Sequence, residues 1–404
     1  MRRNRTSMRR LQWGCALALT AWLGVAQAAL TLESFIDELR AVSPQLQTLR
    51  LEQRVAEAEL EVSRALPSPS VSVGFEREDR QREFSVSQPL WVFGQSKARV
   101  AVAEAALRSS MASQRARELE WLRAAAHQYV EAMIAQARYR MMDDADQALG
   151  KVRGIVHGQV RAGARSKYDG ARVDMADRAL KSEIAQLKTE AQHAEGQLAA
   201  LLGKPLDSGV RFQLQRPRLS AEEVQQWLER LGVLPEVALA QQEWQTAEAR
   251  VKLAEAETKV VPVVSVGQQH KRMGGSGYIV GVEVNVPLFD RNAARIDQAK
   301  AEAMLARSRY DALRQMSQLH WERKIDAARQ HLDLIQQLES KPDEDLVAMQ
   351  RMATDSYLLG QSSVMDLIEA HQQVLDIRQH YLDLLEKAWS SAIEVRYSLI
   401  AFAP

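Results

Sequence analysis

A chain of 404 residues in which 53 Lys and Arg balance 52 Asp and Glu, for a formal charge of +1, carries no concentrated basic character, so a nucleic-acid partner is not expected. The single cysteine, Cys15, excludes both a disulfide framework and a thiolate metal cluster. After the first thirty positions no run of about eighteen apolar residues occurs, so a membrane crossing there would have to use strands rather than helices.

The first ten residues hold five arginines and no acid, and an apolar stretch from Leu11 to Ala28 follows, ending in Ala26-Gln27-Ala28. That order predicts a secretory signal peptide over residues 1–28, cut before Ala29. Most of the apolar run follows Cys15, which places it in the discarded segment; lipidation of Cys15 is the alternative fate. Without those arginines the mature chain is acidic.

Residues 29–204 form a first structural repeat. Ser43-Pro44-Gln45-Leu46 opens an Ala/Glu/Leu-rich helix that gives way to a β-hairpin over about 69–90, where Val71, Val73 and Phe75 alternate with Ser70, Ser72 and Gly74. A charged turn from Glu76 to Glu83 precedes the second arm, Phe84-Ser85-Val86-Ser87. From Gln95 to Val160 there is no proline, which predicts a helical rod of about 100 Å at ~1.5 Å per residue. Val100, Ala103, Leu107 and Met111 mark a narrow packed seam on it, and Gly150, Gly154 and Gly158 weaken its last turns. A glycine turn over about 161–169 follows, with Asp169 six residues after Gly163, then a helix closing at Leu201-Leu202-Gly203.

A connecting segment, 205–218, contains Pro205 and Pro217. Residues 219–404 repeat the order: Leu234-Pro235 opens a helix, and a hairpin over about 263–287 carries Val264 and Val266 on one arm and Val280, Val282, Val284 and Val286 on the other. Its turn is Lys271 to Gly277, and Gly281, Glu283 and Asn285 interleave the valines. A long helix interrupted at Pro342 leads to a turn over about 358–366, where Asp366 again follows Gly360 by six, and a final helix. The fold class is mainly α with a small β part, internally duplicated.

A soluble coiled coil accounts for the helices equally well, but has little use for two amphipathic hairpins at matching places. A membrane barrel needs them, with valines toward lipid, small polar residues toward the lumen, and Trp91, Phe93, Tyr278 and Phe289 near the interfaces. Four strands cannot close a barrel, and bacterial barrels start at about eight, so other protomers must supply the rest; a homotrimer supplies twelve in all.

There is no His-Glu-x-x-His, no Gly-x-Ser-x-Gly elbow and no Gly-Lys-Ser/Thr after Gly274-Gly275-Ser276-Gly277, which reads as a hairpin tip. Asp143, Asp144 and Asp146 lack the spacing of a calcium loop. His127 and His157 read as packing or surface residues, and no catalytic residue, metal site or cofactor is assigned.

The duplicated order, the Leu201-Leu202-Gly203 close, Val286-Pro287-Leu288-Phe289-Asp290-Arg291-Asn292 and the second tip from Gly360 to Ala370 together resemble the TolC family of outer membrane efflux proteins, nearest its CzcC-like cation-efflux branch. The resemblance implies a trimeric barrel in outer membrane lipid and a helical tunnel through the periplasm. Its partners would be a periplasmic adaptor (membrane fusion protein) and an inner-membrane pump. It implies that Gly163 and Gly360 sit at the periplasmic tip in contact with the adaptor, and that Asp366 and Glu369 ring the channel constriction; an acidic, solvated helix start fits those two equally well. Asp169 and Tyr357 resemble two members of the family's closed-state contacts, but Ser362 stands where their arginine is expected. A drug or type I protein-secretion duct, or a soluble periplasmic adaptor or scaffold, are the competing readings.

Overall fold

The computed structural model describes residues 30–76, 81–206, 210–218, 234–271, 275–285, 293–339 and 343–399. The signal-peptide reading of residues 1–28, the motif Val286 to Asn292 with its Pro287 and Phe289, and Pro342 lie outside the described residues.

Helix α1 (Leu32–Val42) starts at a capping box, Thr31 accepting from the Ser34 amide, and buries Leu32, Phe35, Ile36 and Leu39, the one-face spacing of an amphipathic helix. Pro44 at the first position of α2 (Pro44–Arg64), with Ser43 as its cap, breaks the two apart. Strands β1 (Ser70–Glu76) and β2 (Gln81–Pro89) follow, then α3 (Gln95–Arg161) and α4 (Lys167–Leu202). Next come α5 (Pro235–Glu257), β3 (Pro262–Lys271), β4 (Gly275–Val284), α6 (Ala293–Glu339), α7 (Asp343–Leu358) and α8 (Val364–Leu399).

Helix α3 is 67 residues long, a rod of about 100 Å, and runs through Gly150, Gly154 and Gly158. Burial of Val152 and Val156 between those glycines anchors the stretch that intrinsic propensity weakens. At its middle Leu122, Ala126, Tyr129 and Met133 meet Phe35 and Leu39 of α1, Leu198 and Leu202 of α4, and Leu385 and Trp389 of α8. Nearby, Glu394 of α8 binds Lys324 of α6 at 2.7 Å and His127 of α3 at 3.2 Å, with Arg123 at 3.7 Å. Burial opposes the charge, yet Lys324 and His127 together hold the Glu394 carboxyl below its ordinary range.

The connecting segment is pinned along this core. Leu30 makes a parallel bridge to Phe212, donating to the Arg211 carbonyl (2.9 Å) and accepting from the Gln213 amide (3.2 Å). The Leu30 carbonyl also accepts from the Tyr129 hydroxyl at 2.6 Å, and Gln136 donates to Val210 O (2.8 Å) while accepting from Phe212 N (3.2 Å). Trp389 Nε1 donates to Gln215 O at 2.7 Å, and Arg216 meets Glu339 at 3.2 Å.

The four strands form one antiparallel sheet in the order β1-β2-β3-β4. Its ladder is longer than the sequence reading: Gln81, Arg82 and Glu83, read there as turn, pair with Glu76, Phe75 and Gly74, and Gly275 to Gly277 belong to β4. Polar side chains do not end a ladder, because the backbone groups still gain by pairing. The register sorts the sheet into two faces. One carries Val71, Val73, Phe75, Phe84, Val86, Val264, Val266, Tyr278, Val280, Val282 and Val284, and much of it is exposed, Phe75 at 75% and Val280 at 73%. The other carries Ser72, Gly74, Ser85, Ser87, Ser265, Gly267 and Gly281, with Glu83 and Glu283.

Small residues on this second face are a steric requirement. A Cβ on Gly267 would lie 2.6 Å from the Phe84 carbonyl oxygen and one on Gly281 2.7 Å from Ser265 Oγ, whereas one on Gly277, on the same face, meets nothing within 4 Å. We expect Gly267→Val to destabilise the sheet by roughly 3 kcal/mol or more, since the clash is with backbone. Gly277→Val should be tolerated. Strand circular dichroism and the fraction of protein reaching a folded, heat-resistant state compare the two; equal yields would remove the steric argument.

Candidate gate at the helical tip

The two helix-to-helix turns at the far end of α3 and α7 are built alike. At the first, Gly163 adopts φ 74° and Ala164 N bonds back to Gln159 O at 2.9 Å; at the second, Gly360 adopts φ 77° and Gln361 N bonds to Ser356 O at 2.9 Å. This is the helix ending that places a residue in the left-handed region to satisfy the last carbonyls, and glycine enters that region without Cβ strain. Three residues on, a serine starts the next helix. Ser166 accepts from the Asp169 amide (3.2 Å) and donates its own amide to Asp169 Oδ2 (3.3 Å). Ser363 does the same with Asp366, at 3.2 and 2.8 Å, and its hydroxyl reaches Asp366 Oδ2 at 2.8 Å. The six-residue spacing from glycine to aspartate is thus the length of a helix stop plus a capping box.

These contacts fix what the aspartates can do. The Ser363 amide, then its hydroxyl, hold the Asp366 carboxyl below the ordinary carboxylate range, so it is charged at neutral pH while seated at the positive end of α8. Glu369, one turn later, is exposed, as is Asp366, whereas Leu367 and Ile368 between them, and Val364 before them, are buried against Tyr357, Val156 and Val173. The tip therefore shows solvent two carboxylates from one face of α8 and keeps its apolar residues inward.

Tyr357 is fully buried, and its hydroxyl has no hydrogen-bond partner among the described residues. Burial pushes its phenol above the ordinary value; Arg165 pulls the other way and Asp169 adds to the rise. No hydrogen bond joins Asp169 to Tyr357, since the Asp169 carboxylate serves Ser166.

The cation at this site comes from the first turn. Arg165 reaches across to the second, donating to the carbonyls of Tyr357 (3.1 Å) and Ser362 (3.3 Å), with its guanidinium 4.7 Å from the centre of the Tyr357 ring. Sequence reading looked for an arginine near Ser362 and missed one 197 positions earlier. The only signal available was a basic residue inside the first glycine turn, which is ambiguous without knowing that the two turns touch. Behind the tip, Arg153 and His157 of α3 grip Asp174 of α4 at 2.7 and 2.9 Å, and the His157 and Arg153 hydrogen bonds lower its pKa. Buried Asp177 is met by Lys181 at 2.9 Å and Arg153 at 3.7 Å.

Among the described residues no three His, Cys, Asp or Glu side chains form a group that could hold a metal ion, and no helix is long and apolar enough to cross a membrane.

Two outcomes follow from this geometry. Arg165→Ala removes two charge-assisted hydrogen bonds and a ring contact, together about 2–4 kcal/mol, and should speed hydrogen exchange at Leu359 to Ser363 by well over tenfold while leaving exchange in the middle of α3 unchanged. Uniform change, or none, would mean Arg165 is not the tie. For Asp366, a folded pKa below the unfolded one means its stabilisation is present above roughly pH 4 and lost as pH falls through the lower, folded value. Exchange at the Asp366 amide should accelerate over that window, and Asp366→Asn should abolish the pH step.

Residues 35–204 match the family model described as outer membrane efflux protein. Among similar proteins, nodulation protein T of Rhizobium leguminosarum bv. trifolii is 24% identical over 75% of this chain and 68% of its own length. The nickel-cobalt-cadmium resistance protein NccC of Alcaligenes xylosoxydans xylosoxydans is 25% identical over 74% of this chain and 71% of its own, and the cobalt-zinc-cadmium resistance protein CzcC of Cupriavidus metallidurans 22% over 92% and 90%. Crystal structures of CusC superpose with a TM-score of 0.75 at 17% identity, covering 91% of each chain. The outer-membrane channel OprN superposes with a TM-score of 0.77, also at 17% identity, over 91% of this chain and 89% of its own.

Proposed function

We propose that the chain is a member of the outer membrane efflux protein family, whose model residues 35–204 match, and that it is the exit duct of a tripartite efflux system exporting metal cations, working with a periplasmic adaptor and an inner-membrane pump. The observation that carries the reading is the four-stranded sheet at the end of the long helices, valine on one face, serine and glycine on the other, and unpaired outer edges on β1 and β4 among the described residues. In lipid those edges would each leave a row of peptide groups unsatisfied. Strand directions alternate across an even number of strands, so β4 of one copy meets β1 of the next antiparallel, and three copies close a twelve-stranded barrel with the valines outward.

In this arrangement α3, α4 and α6 to α8 form the periplasmic tunnel, and Gly163 and Gly360 form the tip that the adaptor meets. Leu358, Leu359, Met365 and Tyr168, all exposed there, supply apolar contact area. Asp366 and Glu369, repeated by threefold symmetry, ring the constriction with up to six carboxylates, which favours cations over anions. Arg165 takes the place of the arginine expected at Ser362 in the closed-state contact with Tyr357, and Asp169 holds the first turn. Substrate passes unchanged, since nothing in the tip offers a nucleophile with its base.

Similarity to proteins named for cobalt, nickel, zinc and cadmium resistance supports the metal-cation assignment, and similarity to nodulation protein T and OprN keeps a duct for other cargo as the second reading. The test is a deletion strain together with the purified protein. We expect an unboiled species of trimer mass in the outer membrane, sensitisation to Co²⁺, Ni²⁺, Zn²⁺ or Cd²⁺, and planar-bilayer currents whose cation preference falls severalfold in Asp366→Asn/Glu369→Gln. Sensitisation to organic drugs alone would select the second reading, and a soluble periplasmic species would remove the channel.

A further inference from the structure

The valine face of the sheet is graded along its length. At the level of Val71, Val86, Val266 and Val280 it is aliphatic; two residues nearer the hairpin ends, Phe84 and Tyr278 enter; two residues further, Arg82 of β2 stands directly opposite His270 of β3, beside Phe75 of β1. Both Arg82 and His270 are exposed. The carboxylates Glu83 and Glu283 lie on the opposite face, so no acid of the described strands shares the face of Arg82 and His270.

Height along the barrel decides what this basic row meets. From Pro262, opposite Val284, to His270 is eight residues, about 27 Å along the strand at ~3.3 Å each, and about 20 Å of membrane depth at a tilt of ~40°. The apolar band of an outer-membrane barrel is about 25 Å tall with aromatic residues at its margins. Arg82 and His270 stand one rung beyond the aromatic Phe84 and Tyr278, on the side farthest from the helices, which puts them at the outer edge of that band, where the headgroups begin. Arg82 and His270 stand directly across strands, so an anion placed between them is met from both. His270 Nδ1 is hydrogen-bonded to Ser276 Oγ at 2.8 Å, which orients the ring and leaves Nε2 for a ligand.

We infer that Arg82 and His270 form a phosphate-binding site on the outward face of the barrel for the phosphorylated lipid of the outer leaflet, lipid A. The guanidinium offers the paired donors that suit phosphate oxygens, His270 Nε2 adds a third, and Phe84, one rung nearer the helices, flanks the acyl chains while Phe75 stands beside Arg82. Three copies per barrel would fasten it at a fixed depth. This rests on the barrel reading above, in which the valine face is the lipid face.

The test uses the trimer purified from outer membranes in mild detergent, freed of lipid and titrated in native mass spectrometry with bis-phosphorylated lipid A, with lipid A stripped of phosphate, and with phosphatidylglycerol. The wild type should hold bis-phosphorylated lipid A at least tenfold more tightly than either other lipid, Arg82→Ala/His270→Ala should lose that margin, and Glu83→Gln, on the other face of β2, should keep it. Equal binding of the three lipids by the wild type, or an unchanged margin in the double variant, overturns the inference. Displacement of lipid A by millimolar inorganic phosphate alone would mark a free-anion site and overturn it too. Absence of a wild-type trimer from the outer membrane is a different failure, that of the barrel itself.

Discussion

A peptide group in hydrocarbon must find its hydrogen-bond partner within protein, and most of this architecture answers to that demand. The sheet satisfies its inner ladders within one chain and leaves β1 and β4 as edges, so the polypeptide is incomplete as a membrane object in a way that a helix bundle would not be. In the barrel proposed above, the valine face, the crowding at Gly267 and Gly281, and the strand limits at Pro89 and Pro262 suit a short sheet that other copies extend. The helices carry no such requirement, which is why they can be polar, long and held by scattered ion pairs such as the Glu394 cluster.

At the other end the two tip turns share one backbone solution but not one side-chain solution. Each has a glycine stop and a serine–aspartate start, yet only the first carries an arginine that crosses over, and only the second has the buried tyrosine that receives it. Duplication supplies the frame, and divergence of single residues within it makes the two turns into a pair of unlike, complementary parts. An acidic residue held charged by its cap can face a passage at no further cost in protonation, because the same amide that starts α8 keeps Asp366 ionised.

Much of this was legible in the order of residues. Period-two alternation announced the hairpins because the pleat forces it, and the absence of proline from Gln95 to Val160 announced α3 because only proline reliably stops a helix in mid-course. Glycine at 163 and 360 with aspartate six residues on marked both tip turns, since stop and cap have fixed lengths. Alternation alone starts the second arm at Phe84, because charged residues read as turn, whereas pairing with Glu76, Phe75 and Gly74 starts β2 at Gln81. Arg165 could not be placed at all: its partners are set by how the two tip turns come together, a fact of packing that no local pattern encodes.

The bridge between Leu30 and Phe212 carries a consequence for timing. Leu30 is the first described residue, and its carbonyl takes hydrogen bonds from Tyr129 and Gln213, contacts that need the first two hundred residues of the chain to be present and α3 and α4 to have met. The strip from Val210 to Arg216 is in turn held by Trp389 and Glu339 from the far half. A nascent chain emerging from its amino end would keep that end unfastened until nearly everything else had arrived, and non-local closures of this kind form slowly. The segment around Leu30 is thus among the last parts to settle, which leaves a long interval in which chaperones and proteases compete for it.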